Sequence, residues 1–472
     1  MRAQRTAAGD PRPPSPALPL AGLRVLTFEA FGAGPFGSMY LADLGAEVIK
    51  IENRAQGGDA TRGMGPFFLG EHDSHFFQTF NLNKRSVCLD LKQPAGREAF
   101  RRLVATSDAV LNNLRGDQPD KLGLTYDALR DANPRIVCAH LSAYGRDNER
   151  RGWPGYDYLM QAEAGFLHVT GEPGSPPSRM GLSIIDYMTG ITTALALVSA
   201  LLGVARGGSG RDIDVSLFDV ALHQLSYPGT WYLNDQLVTG RAPRSAHPTA
   251  TPVQLFKTAD GWIFVMCMTE KFWQELLRVI DAPVVAADRR YADMALRREH
   301  RDVLTAALDG VFETDTTAHW LEKLQGVLPA APVYDLAQAL DNPFPIANGM
   351  IRATRAPRCP DGRARRRVRD RHHRALAGEA ARRAARRAGL RPRAGARQSF
   401  PDRERHDPHD AASAARRFPQ LREPDQARRQ APAGRQRSGA WRRHRRSARR
   451  SGLHRRGARR AAGLGHHLKS VR

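Results

Sequence analysis

Short apolar runs alternate with amphipathic stretches through most of the chain, and the alternation itself predicts the architecture. Residues 23–28 (LRVLTF), 47–51 (EVIKI), 86–91, 109–111, 135–141 (RIVCAHL) and 212–216 read as strands. Helical periodicity covers 35–44, with Pro35 near its first turn, and 96–106. Strand, helix and strand in that order form βαβ units, so the expected core is an open, mostly parallel sheet with helices on both faces. The stretch from Arg179 to Arg206 differs: after Asp186 it is apolar nearly all round, which marks a buried helix, and a further helix starts at about Leu217. Asp186 falls at the N-terminus of that apolar helix. There the unpaired amides and the helix dipole are expected to keep it ionised. On propensity alone it is an N-cap; a catalytic carboxylate is the competing reading.

A Pro-, Gly- and Arg-containing linker at 227–249 separates a second module. Its strands, 251–258 and 262–268, form a hairpin about Asp260-Gly261. Helices at 270–280, 298–312 and 317–325 follow, the last capped by Asp315 or Thr316. The predicted class is therefore α/β: a Rossmann-like large domain at 20–226, a small α+β domain at 250–330, and a return segment at 331–350. Residues 1–19 read as a disordered extension with neither signal nor anchor character. The apolar run 188–204 contains Thr, Ser and Gly and falls short of a membrane span, so a soluble protein is expected.

Charge divides the chain sharply. Residues 351–472 hold 37 Arg and 1 Lys against 9 Asp and Glu, a net +29. The +24 of the whole chain belongs to this tail, and the preceding 350 residues stand at −5. Ile, Leu, Val and Phe number 11 among the tail's 122 residues, so an Arg-rich disordered C-terminal tail is expected. Three readings compete: a tail that binds nucleic acid non-specifically, a physiological disordered extension, and a loss of the native reading frame near Arg355. The last is favoured, because Arg, Ala, Gly and Pro dominate, as in a misread GC-rich message. The four cysteines, at 88, 138, 267 and 359, have no metal-binding spacing and read as reduced thiols of a cytoplasmic protein.

Gly32-Ala33-Gly34-Pro35-Phe36-Gly37 spells GxGxxG between a strand and a helix, with Glu52 ending the next strand. A dinucleotide fingerprint needs its first glycine almost at once after the strand, and this one comes later. A glycine-lined turn open to some nucleotide is the better reading.

Several blocks in order resemble one family: LAGLRVLTFEAFGAGPFGSMYLADLGAEVIKIE, NLNKRSVCLDLKQPAGREAF, VLNNLRGDQPDKLGLTYDALRDANPRIV, GYDYLMQAEAGFLHVTGEP, IIDYMTG and GRDIDVSLFDVAL. From about residue 20 to 345 they are similar to the class III CoA-transferases, which include formyl-CoA transferase, carnitine CoA-transferase and α-methylacyl-CoA racemase. The resemblance implies an interlocked homodimer and no permanently bound cofactor, with coenzyme A or acyl-CoA and a small carboxylic acid as substrates. It implies that Asp186 attacks the acyl-CoA thioester, forming a mixed anhydride and then an aspartyl-CoA thioester. For CoA it points to Gly32, Ala33, Arg54, Leu89 through Lys92, Asn113, Leu114, Arg115, Lys121 and Tyr156. Asn53 and Lys121 stand where members carry arginine.

Racemases of the family place a histidine in a GHD triplet where this chain has Gly155-Tyr156-Asp157. Tyrosine, with an ordinary pKa of about 10, is a poor base at neutral pH, so transfer is expected over racemisation. The glycine-rich loop of formyl-CoA transferase is missing from RAPRSAHPTATPVQLF, which argues against oxalate specificity. A PxLGxHT-like C-terminal motif has no counterpart after Met350, and the implied uncovered sheet predicts poor folding or no activity. A non-catalytic remnant with an anion-binding tail is thus the alternative to an enzyme.

Overall fold

In a computed structural model, residues 18–355 are described except 54 and 56, together with the backbone of 366–370. The N-terminal extension through residue 17, Arg54 and most of the tail lie outside the described residues.

Six strands build the main sheet: β1 (Arg24–Phe28), β2 (Glu47–Glu52), β3 (Arg85–Cys88), β4 (Ala109–Asn112), β5 (Val137–Ser142) and β6 (Arg211–Ser216). Every pairing is parallel, in the order β3-β2-β1-β4-β5-β6. The connection reverses direction between β1 and β4, and such switch points open a crevice at the strands' C-terminal ends. Successive residues of each strand serve opposite faces, as the two-residue strand period requires. Val25, Val48, Leu111 and Val137 join one buried cluster, and Leu26, Ile49, Val110 and Cys138 join another.

Helices α1 (Ala33–Asp43), α2 (Pro94–Val104), α3 (Asp157–Glu163), α4 (Ile184–Ala205) and α5 (Leu217–Gln224) surround this sheet. Pro94 opens α2 and Ser216 caps α5, accepting from the Asp219 amide. Gln93, not the glycine at 96, ends the preceding loop, so α2 starts two residues earlier than its periodicity suggested.

The apolar helix α4 runs for 22 residues, four more at its start than the run read from hydropathy. It is therefore long and apolar enough to cross a membrane by length and composition, contrary to the expectation of a short segment. Its packing in the fold is against α1, β5 and β6, with Ala194, Leu197 and Val204 in the core. Ile191, Leu195 and Leu202 lie along an exposed stripe, Leu195 at 67% exposure.

The small domain carries β7 (Val253–Lys257), β8 (Trp262–Met266) and β9 (Ala330–Pro332) in an antiparallel sheet with β8 central. Helices at Glu270–Ile280, Arg301–Phe312 and Thr317–Leu324 pack on it around Phe256, Trp273, Leu304 and Phe312. Thr316 caps the last of them, accepting from the His319 amide. The helix expected at 298–312 begins only at Arg301, because a separate helix, Met294–Glu299, ends at His300. The linker also departs from expectation: it opens with a helix, Ser226–Asp235. Beyond residue 350, Ile351–Arg355 pairs antiparallel with Arg366–Asp370, inside the segment expected to be unstructured.

Candidate active site

Asp186 sits in the first turn of α4. Ser183 is the N-cap and makes no side-chain cap bond, so Asp186 is not the cap that propensity favoured. A carboxylate from outside the helix replaces it. The Asp186 amide donates to Asp157 Oδ2 at 2.9 Å, and the Ile185 amide faces the same carboxylate and favours its charge. Gln161 holds Asp157 in place, its Nε2 donating to Oδ1 at 2.6 Å. Gln161 is in turn fixed by the Met180 amide, which donates to its Oε1 at 2.9 Å. Residue-type reasoning passed over Asp157 and Gln161; the only signal was an acid placed directly after Tyr156.

The second wall is the turn between β1 and α1. A Cβ on Gly32 would stand 2.3 Å from Asp186 Oδ2, so only glycine leaves room for that carboxyl. Gly34 is equally confined, against the side chains of Asn113 and Glu29. Gly37 meets the backbone of Gly190 on α4, where a Cβ would lie 2.4 Å from the carbonyl oxygen. The three glycines of the GxGxxG pattern thus serve one carboxyl, one loop and one helix crossing. No side chain caps α1, whose first turn reaches toward Asp186.

Burial, joined by the nearby Asp157 carboxylate, pushes the Asp186 carboxyl up to about 7. The sequence expectation that the helix end would keep it ionised is therefore corrected, because desolvation outweighs the dipole here. At neutral pH the group is near its midpoint.

A cleft of about 630 Å³ opens at the switch point, and Asp186 lines it. Gly32, Ala33, Leu89, Lys92, Asn113, Leu114, Arg115 and Tyr156 line it too. Lys121 does not: its amine is 2.6 Å from Asp117 and largely exposed. Arg54 lies outside the described residues. Asn113 also holds the adjoining turn, since Oδ1 accepts from the Ala30 amide at 2.9 Å and Nδ2 donates to the Ala30 carbonyl at 2.7 Å. It clamps the turn that carries Gly32. Arg115 lies 3.4 Å from Asp117, and Lys92 is exposed at the cleft wall. Tyr156 packs edge-on to Phe31 at 5.8 Å, and Phe31 precedes the Gly32 turn that lies against Asp186. Glu52, the would-be ribose ligand of a dinucleotide, is bound by Arg62 at 2.6 Å and held down to about 2. Among the described residues no group of three His, Cys, Asp or Glu assembles to hold a metal.

Residues 20–379 match the model of CoA-transferase family III. The match continues past residue 345, where the resemblance in the sequence was read as ending, and takes in the paired strands after residue 350. A succinate–glutarate CoA-transferase of Agrobacterium fabrum is 33% identical over 345 residues, covering 70% of this chain and 84% of that protein. An acetyl-CoA:oxalate CoA-transferase of Acetobacter aceti is 34% identical, covering 72% and 87%. The crystal structure of a CAIB/BAIF family protein from Brucella suis superposes with a TM-score of 0.63 at 31% identity, covering 77% of this chain and 99% of that one.

Proposed function

The chain belongs to CoA-transferase family III, and from that premise we propose that it moves CoA from an acyl-CoA donor to a carboxylic acid through Asp186. The observation that carries this reading is the Asp186 carboxyl on the cleft wall, pressed against the Gly32 turn and uncrowded by any side chain there. One carboxylate oxygen attacks the thioester carbonyl, the C–S bond breaks, and the CoA thiolate leaves a mixed anhydride. The thiolate then attacks the aspartyl carbonyl and the donor acid departs as its carboxylate. The resulting aspartyl-CoA thioester is attacked by the acceptor carboxylate, and the same two exchanges run in reverse order. No proton is gained or lost over the cycle. Splitting one acyl exchange into such steps is what a covalent nucleophile provides.

The cleft residues Lys92 and Arg115 supply the positive charge that a phosphorylated CoA needs. Relatives named for succinate, glutarate and oxalate put these acids on the acceptor panel, with succinate and glutarate ahead of oxalate, since the glycine-rich loop of formyl-CoA transferase is missing here. The exposed apolar stripe Ile191, Leu195 and Leu202 supports a homodimer in which a second copy covers α4. Free Cys88, Cys138 and Cys267 support a cytoplasmic location. The test is mass spectrometry after incubation with acyl-CoAs and hydroxylamine: a hydroxamate at Asp186 is expected, and label elsewhere or none removes the assignment.

A further inference from the structure

We propose that Asp157 is a positioning residue for the nucleophile: from α3 it caps α4 in place of Ser183, grips Asp186 by its amide, and lays a second negative charge beside the attacking carboxyl. The proposal rests on the reading of Asp186 as nucleophile. Its geometric basis is the 2.9 Å bond from the Asp186 amide, the 2.6 Å bond by which Gln161 holds Asp157, and the absence of a cap bond from Ser183. Gln161, wholly buried, prevents Asp157 from turning away. A cap ordinarily comes from the residue preceding the helix. Drawn from another helix, it ties the first turn of α4 to the segment that carries Tyr156 into the cleft.

The charge has a chemical consequence. The groups facing the pair are Tyr187 on α4, Tyr158 on α3 and Arg179 on the loop before α4, while α1 contributes only the Gly32 turn. Of these only Arg179 is cationic, and its guanidinium stacks on Tyr158 at 4.3 Å. Burial, joined by the Asp157 charge, therefore leaves Asp186 a stronger base than an ordinary carboxylate. In the mixed anhydride the thiolate can attack either carbonyl. Attack at the acyl carbon expels Asp186 and returns the donor; attack at the aspartyl carbon expels the donor acid. The weaker base leaves more readily, so the anhydride collapses forward.

Asp157→Asn keeps an oxygen acceptor but removes the charge. Infrared titration of the carboxyl band that vanishes in Asp186→Asn reads the nucleophile without turnover. In the full chain that band is expected to titrate near pH 7, and Asp157→Asn should lower its midpoint by about one unit or more, with the acid limb of kcat following. KM for acyl-CoA should stay within about twofold, since the bond is made in free enzyme and complex alike. A midpoint unmoved within about 0.3 unit overturns the proposal. If Asp157→Asn fails to fold, Gln161→Met decides, because it frees Asp157 while keeping its charge. It should lower kcat about tenfold with the acid limb in place, whereas an unchanged kcat overturns the positioning role. Absence of an Asp186 hydroxamate in the native enzyme sinks the transferase mechanism alone, because the infrared titration still answers for Asp157.

Discussion

Asp186 is asked to be an anion in surroundings that favour its proton. Asp186→Asn should fold normally, as Asp157 and not its own side chain manages the helix end, while CoA exchange falls to background in a radiolabelled exchange assay. The raised carboxyl also has a thermodynamic signature. Between the unfolded value of about 4 and the folded value of about 7, the native state binds more protons than the unfolded one, so stability declines as pH rises through that window. The asparagine variant escapes the decline. Its advantage in urea midpoint free energy should grow by about 1–3 kcal/mol between pH 4 and pH 8; no growth contradicts the raised value. At Gly32 an added methyl would meet the carboxyl at 2.3 Å. Gly32→Ala should lower kcat about a hundredfold, with the melting temperature nearly unchanged, since displacement by about 1 Å costs that much in a preorganised site.

At the level of elements, the crossing of α1 and α4 decides where the Asp186 carboxyl stands. Gly37 and Gly190 meet backbone to backbone, and a Cβ on Gly190 would lie 2.5 Å from the Ala33 carbonyl. Gly190→Val should cost about 1–3 kcal/mol by overpacking and lower kcat as well, measured by thermal melts beside kinetics. The sequence disclosed the strands and α4 because buried parallel strands and core helices carry strong apolar patterns, as in EVIKI and the run after Asp186. It disclosed most of the cleft through the family blocks, Leu89, Lys92, Arg115 and Tyr156 among them. Asp157 stayed hidden because capping from another helix leaves no local spacing to read. Lys121 stands off the cleft wall, because a surface lysine four residues after Asp117 pairs along its own helix, and position in a motif does not reveal that. The clamp that Asn113 makes on the Ala30 turn was not legible, since motif position does not show which backbone a polar side chain holds.

For the whole molecule, the division of charge separates two behaviours. Removing residues 356–472 should abolish salt-sensitive nucleic-acid binding, as the remaining body is near neutral; binding that survives would place the affinity in the body. Translation of the other two frames beyond codon 350 should give an apolar, globular continuation in one of them, and none in either would remove the frame-shift reading. The Gly37–Gly190 contact reaches beyond assembly, to motion. Where Gly37 meets Gly190 the helices have no compliant side-chain layer between them, so the β1–α1 turn and the Asp186 carboxyl travel together. On the transferase reading, whatever closes over a bound thioester then comes from the bank bearing Lys92, while Asp186 and the Tyr156 segment tied to it through Asp157 stay still.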